Sequence, residues 1–315
     1  MYWEPILSFA ITFILTPIIS DTFIESGIIG KDIHKPEKPE IPEMGGITVI
    51  IGVLISSSLF IVPEGLTKFL NAIVVISLIG ILGIIDDLTN IDQLKKVLLS
   101  IIVSIPIINS VISTKIDFIF FSIEFGPLYL ILAVIAIIGA SNAINMLAGF
   151  NGLEVGLSLI IISFLTLLSY LNGHPNTAIL GTIFTTSILA LLYYNIYPAT
   201  IFPGDTGTLT MGSMIAIITI LGKVEIYGAI LILPHIIDFL LKTKIKYSGK
   251  QRGPTQVNKN GKLSPPPYLS LPSILIKLGS NTEKKLIITT YLLEFGLGIL
   301  TIILYSVKTK MKLET

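Results

Sequence analysis

Long apolar windows follow one another from the first residues of this chain almost to its last, and no other feature constrains its fold as much. A helix crossing the hydrocarbon core of a bilayer needs about 20 residues. By that ruler ten stretches qualify: 3–24, 45–62, 69–85, 95–113, 127–145, 153–171, 177–194, 207–222, 226–242 and 286–307. Only a tight break at Gly222-Lys223 separates the eighth from the ninth. Hydrophobic residues make up 52% of the 315 and charged ones 13%, with a mean hydropathy of +0.86. A soluble domain carries about a quarter charged residues. The sequence therefore predicts an all-α polytopic membrane protein of about ten transmembrane helices, a single domain over 1–315. A transmembrane barrel would show alternating strands of about ten residues, and none is visible.

Net charge is +1, which gives no reason to expect a nucleic-acid partner. Cysteine is absent, excluding disulfides, iron–sulfur clusters and thiolate zinc sites. His34, His174 and His235 are too far apart to form a metal motif. The opening Met1-Tyr2-Trp3-Glu4 has no basic lead, so the first segment is expected to be a retained span and not a signal peptide. Sorting lysines by alternate loops gives one side Lys31, Lys35, Lys38 and the cluster from Lys244 to Lys285. The positive-inside rule makes that side cytoplasmic and puts both termini outside, against the pull of Lys308, Lys310 and Lys312. The largest extramembrane piece, 243–285, carries Ser264-Pro265-Pro266-Pro267, which forbids a continuous helix. Its apolar patch from Tyr268 to Leu278 is suited to lying in the interface plane. No internal repeat of the transporter kind is present.

The polar residues then converge. Asp86-Asp87, the stretch Asn142 to Glu154, Gly204-Asp205-Thr206 and Arg252 all fall at cytoplasmic loops or helix ends, while the outer loops carry nothing of comparable density. Asp86 and Asp87 close an apolar run at headgroup level, where metal ions and phosphates reach them. The alternative is a solvated helix end or a cap on the next helix. Asn142, Asn145 and Gly149 share one face if their helix continues that far, and Asn151-Gly152 then breaks it. Buried amides there suit a nucleobase or a metal–phosphate complex; a helix–loop–helix turn with packing glycines is the plainer reading. Asp205 in its Gly-flanked turn, with Asn145 and one of Asp86/Asp87, makes an all-oxygen set suited to Mg²⁺. Arg252 is the single arginine among 21 basic residues, pointing to two-pronged phosphate binding or else to a plain surface cation. Lys96 is a second phosphate candidate; it also suits a headgroup anchor, and Lys95 competes with it.

Three strings carry a resemblance: Ile85-Asp86-Asp87-Leu88-Thr89-Asn90, Asn142-Ala143-Ile144-Asn145-x-Leu147-Ala148-Gly149-x-Asn151-Gly152-Leu153-Glu154, and Phe202-x-Gly204-Asp205-Thr206. With Gly30-Lys31-Asp32-Ile33-His34-Lys35 and Ile41-Pro42-Glu43, they resemble the polyprenyl-phosphate N-acetylhexosamine-1-phosphate transferases, above all the eukaryotic and archaeal branch that uses UDP-GlcNAc and dolichyl phosphate. The match runs in order from Gly30 to Pro254. The resemblance implies that Asn145 and Asp205 hold Mg²⁺ (or Mn²⁺). It implies that Gly149, Asn151 and Glu43 bind uridine, that Phe202 packs on the uracil, and that the Asp32-Ile33 backbone lies nearby. Lys96 would contact the pyrophosphate, and Arg252 would sit in the loop 243–285 that recognises the N-acetyl sugar. Eukaryotic members have a histidine where this chain has Gln251, and the histidine-rich motif of the peptidoglycan branch is missing, which disfavours a muramoyl-pentapeptide donor.

The expected reaction is transfer of GlcNAc-1-phosphate from UDP-GlcNAc to a polyprenyl (dolichyl) phosphate, releasing UMP, with Asp86 or Asp87 handling the lipid phosphate and direct transfer favoured over an aspartyl intermediate. The same chemistry on another UDP-N-acetylhexosamine is the nearer alternative. A transporter or flippase is the remote one, since it calls for acids spread across membrane depth and for repeat symmetry. The resemblance also implies membrane lipid as a partner and a homodimer, and the composition fits an archaeal cell membrane.

Overall fold

The computed structural model describes residues 3–248 and 255–314. Its helices follow the apolar windows closely: α1 Glu4–Glu25, α2 Gly46–Ile61, α3 Thr67–Thr89, α4 Gln93–Ser104, α5 Pro127–Met146, α6 Leu153–Leu171, α7 Pro175–Asn195 and α8 Gly204–Leu221. After these come α9 Glu225–Leu231, α10 Leu233–Ser248, α11 Leu271–Lys277 and α12 Glu283–Glu314. Among the described residues eight helical stretches are long and apolar enough to cross a membrane, one of them α4 with its 3-10 extension to Ser110; α2 is apolar but shorter. The expected ninth span, 226–242, is broken at Ile232 into α9 and α10. Pro234 explains the break: without an N–H it cannot continue the ladder of α9, but it suits the first turn of α10.

Three short antiparallel ribbons lie where only loops were expected: β1 Ile29–Lys31 with β2 Glu40–Pro42, β3 Lys115–Asp117 with β4 Ser122–Glu124, and β5 Gln256–Val257 with β6 Leu263–Ser264. In the patch Tyr268–Leu278, Leu271, Leu275 and Ile276 pack against Leu147, Phe150 and Leu157, so α11 is buried in protein. Leu269 and Leu278 stay exposed.

At the centre stands α8, buried at every residue from Thr206 to Ile218 and packed against α3, α5 and α6. A helix with no polar face belongs in the middle of a bundle. Its neighbours approach through small residues. A Cβ on Gly83 of α3 would lie 2.5 Å from Thr206 Cα, and one on Gly212 would lie 2.4 Å from Ser141 Cα of α5. Between α1, α2 and α7, buried hydroxyls are paired: Thr12 with Ser187 at 2.6 Å and Thr16 with Thr48 at 3.1 Å. In an apolar bundle such pairs and close backbone contacts bind helices that gain little from further apolar burial.

Candidate active site

The apolar run of α3 carries the helix past Ile85, so Asp86 and Asp87 occupy its last turn, which Asn90 closes in a left-handed conformation. Successive helical residues point about 100° apart, and the two aspartates accordingly serve different neighbours. Asp87 faces the start of α8. Its Oδ1 accepts the Asp205 N–H at 2.7 Å; its Oδ2 accepts the Thr206 N–H at 2.9 Å and the Thr206 hydroxyl at 2.6 Å. Pro203, the residue at the N-cap position, gives no side-chain cap, so α3 supplies one to α8 across the bundle. Gly204 permits this: its φ is +69°, and a Cβ there would stand 2.6 Å from Asp87 Oδ2.

Asp87→Ala is expected to leave the amides at the start of α8 unmet and to lower stability by about 1–3 kcal/mol. Asp87→Asn keeps one acceptor and should recover part of the loss. Thermal unfolding in detergent checks both, and equal melting temperatures for the two variants would contradict the capping role.

Asp86 turns to the other side. Its Oδ1 accepts the Ile91 N–H at 2.8 Å and its Oδ2 pairs with Lys96. The Lys96 side chain is buried and also binds Asp205 Oδ2 at 2.5 Å. Asp205 Oδ1 in turn accepts from Asn145 Nδ2 at 2.6 Å, and that amide also donates to Thr208 Oγ1 at 2.9 Å. Four of the sequence candidates thus form one continuous chain, Asp86–Lys96–Asp205–Asn145.

Asp86, Asp205 and Asn145 border a cavity of about 400 Å³. One wall is Lys31, Asp32 and Ile33 with Glu43; another is Asn145, Ala148, Gly149, Phe150 and Glu154; the third runs from Phe202 to Asp205 with Thr208, and Asp86, Asp87 and Asn90 complete the rim. Burial, then the Asp87 and Asp205 carboxylates, push the Glu43 carboxyl above the usual carboxylate range. Burial lowers His34, whose ring stacks on Phe150 at 4.1 Å between centroids.

Three candidates do not line the cavity. Lys96 reaches it through its two aspartates. Asn142 donates to the Ile138 carbonyl at 2.9 Å and accepts from Gln93 at 3.2 Å. Asn151 is buried between Asp32 and Glu283. Helix α5 stops at Met146, so Gly149 leaves the face it was expected to share; its φ of +121° makes it a loop residue. Arg252 and Gln251 lie outside the described residues. Glu154, Asn90 and Thr208 line the cavity without having been singled out, and Glu283 stands behind its wall, bound to Asn151 and Lys35. Glu154 at least lay inside the unusual amide string; nothing in the local sequence marks Glu283.

A family model described as glycosyl transferase family 4 matches residues 69–223. A protein of Saccharolobus solfataricus, provisionally named UDP-N-acetylglucosamine–dolichyl-phosphate N-acetylglucosaminephosphotransferase, is 35% identical over 312 residues, covering 96% of this chain and 95% of its own. The chain belongs to this transferase family. A Sulfolobus acidocaldarius protein with the same provisional name is 33% identical over 96% of this chain and 95% of its own. A phospho-N-acetylmuramoyl-pentapeptide-transferase of Shouchella clausii is 29% identical over 78% of this chain and 83% of its own. The family match takes in the Asp86-Asp87, Asn142–Glu154 and Asp205 strings. The walls at Asp32 and Glu43, and Glu283 behind them, lie outside it but within the span shared with the archaeal relatives.

The donor set also fits a hard divalent cation. Six carboxyl groups line the cavity (Asp32, Glu43, Asp86, Asp87, Glu154 and Asp205), against one lysine, Lys31. A phosphorylated ligand entering such a pocket needs further positive charge. Among the described residues no three His, Asp or Glu side chains form a ready cage. A cation here would take one or two protein oxygens and complete its shell from phosphates and water, as Mg²⁺ does.

Proposed function

We propose that the chain transfers N-acetylglucosamine 1-phosphate from UDP-GlcNAc to a polyprenyl phosphate of the dolichyl type, giving polyprenyl-diphosphate-GlcNAc and UMP. The observation that carries this reading is the Asp86–Lys96–Asp205–Asn145 chain beside an acid-lined cavity. It stands in a chain 35% identical to the Saccharolobus protein over nearly its full length.

An oxygen of the lipid phosphate attacks the β-phosphorus of UDP-GlcNAc. The new P–O bond forms as the bond from the β-phosphorus to the bridging oxygen breaks, and UMP leaves with that oxygen. Little covalent work falls to the protein, whose tasks are positioning and charge. Lys96 offers its ammonium to the pyrophosphate while held by Asp86 and Asp205. Asp205 and Asn145 would hold Mg²⁺ (or Mn²⁺), which when bound neutralises charge building on the pyrophosphate. Asp87 fixes the Asp205 backbone from beneath. The uracil would lie between Phe202 and the Gly149–Phe150 turn, and Arg252, carried by the segment 243–285, would meet the sugar phosphate.

The site faces the cytoplasm and both termini lie outside, because the lysine-rich loops share the side of the cavity. The enzyme works as a multi-pass protein of the cell membrane, as a homodimer, beside the lipid that supplies its acceptor. A donor panel in detergent, read as UMP release with polyprenyl phosphate, tests the sugar. UDP-GlcNAc is expected to exceed UDP-GalNAc and UDP-MurNAc-pentapeptide by about tenfold or more, a difference near 1.4 kcal/mol. Equal rates for two UDP-N-acetylhexosamines would overturn the assignment to GlcNAc.

A further inference from the structure

Behind one wall of the cavity four residues close a ring. Lys35 Nζ pairs with Asp32 Oδ2 at 3.0 Å and with Glu283 Oε2. Glu283 Oε1 accepts the Asn151 N–H at 2.8 Å, and Asn151 Nδ2 donates back to Asp32 Oδ2 at 2.9 Å. The ring is dry: Asp32 and Glu283 are each 5% exposed, Asn151 2%, and the Lys35 side chain 11%. It joins segments remote in sequence: the loop after β1, the turn between α5 and α6, and the first residue of α12. Glu283 sits at the positive end of α12, where a carboxylate is favoured. The Lys35 and Lys284 ammoniums lie 4.2 and 4.7 Å from the centre of the Tyr197 ring, adding a cation–π brace.

Asp32 alone of the four lines the cavity. Glu283 and Lys35 therefore do not touch a bound donor; they determine where the wall at Asp32 and Ile33 stands. We infer that Glu283 is a positioning residue that, through Lys35 and Asn151, latches this wall against the nucleotide and so sets affinity for the donor. The inference rests on the donor reading above. Removing Glu283 leaves the Asn151 N–H unmet and Lys35 with Asp32 alone, so α12 no longer ties down the loop that carries the wall, while the reacting groups around Asp205 stay in place.

The test is UDP binding by calorimetry together with kcat at saturating UDP-GlcNAc, in the full chain in detergent. Glu283→Ala is expected to weaken UDP binding by about tenfold or more and to change kcat by less than about threefold. Glu283→Gln, which keeps an acceptor for the Asn151 N–H, should fall between wild type and Glu283→Ala. Lys35→Met should weaken UDP, and the double variant Lys35→Met/Glu283→Gln should be no weaker than the worse single change, because both break the same ring. UDP affinity within about twofold of wild type in Glu283→Ala, or a loss falling on kcat alone, would overturn the latch. If Glu283→Ala does not fold, Glu283→Gln is judged by the same criterion. Wild type that binds UDP but releases no UMP from UDP-GlcNAc would sink the donor assignment and leave the UDP comparison to judge the latch. Wild type that binds no UDP would overturn both.

Discussion

Replacing Asp205 with alanine is expected to lower UMP release by about a hundredfold to a thousandfold, the range for removing a group that acts on charge developing in the transition state. The fold should persist. What Asp87 caps at this position is the Asp205 backbone N–H together with Thr206, and these remain in the variant. Lys96 keeps its pair with Asp86. The change also removes one carboxylate from a crowded acidic cluster. A melting temperature within a few degrees of wild type, with turnover nearly gone, is the expected pair of results. Near-normal turnover in a folded protein would remove Asp205 from the reaction. Asp205→Asn separates charge from shape, since it keeps the volume and the contact with Asn145.

Lys96 should behave in the opposite way on stability. Lys96 is 4% exposed, and among the described residues its ammonium is the one cation shared by Asp86 and Asp205. Lys96→Met leaves both carboxylates facing each other without it. Removing one partner of a buried pair costs about 3–5 kcal/mol, and the low end applies here because part of the Asp205 side chain meets screening solvent. A fall of roughly 5–10 °C in melting temperature is expected, with transfer lost as well. Lys96→Arg restores the charge and should recover much of the stability. Its wider, planar head no longer offers a point charge to the pyrophosphate, so transfer should stay low. An unchanged melting temperature in Lys96→Met would contradict the bridging role.

The long helices were legible because bilayer thickness sets the length of a span and apolar runs such as Ala72–Ile85 advertise it, though among the described residues eight stretches, against about ten expected, are long and apolar enough to cross. The location of the site was legible because polar residues in several spans fall at one end of the bundle. Three things were not. The division of labour between Asp86 and Asp87 depends on a rotation of about 100° between neighbours, which two identical letters cannot display. The break at Ile232 lies inside an apolar run in which Pro234 was the only local signal. Glu283 is separated from Asn151 by 132 residues and from Lys35 by 248, so only the folded chain brings their charges together. Asn142 was expected at a ligand from its amide and Asn151 from the family resemblance; neither lines the cavity, Asn142 meeting Gln93 and Asn151 standing in the ring with Asp32 and Glu283.

What moves to the lipid is a sugar phosphate and not a sugar alone. UDP-GlcNAc labelled with ³²P at the β-phosphate distinguishes the two in a single experiment with polyprenyl phosphate and Mg²⁺. Phosphate transfer puts the label in the solvent-extractable lipid and leaves unlabelled UMP in the water phase, one for each lipid product. Label retained in UDP while GlcNAc appears on the lipid, or no lipid product at all, would contradict the account.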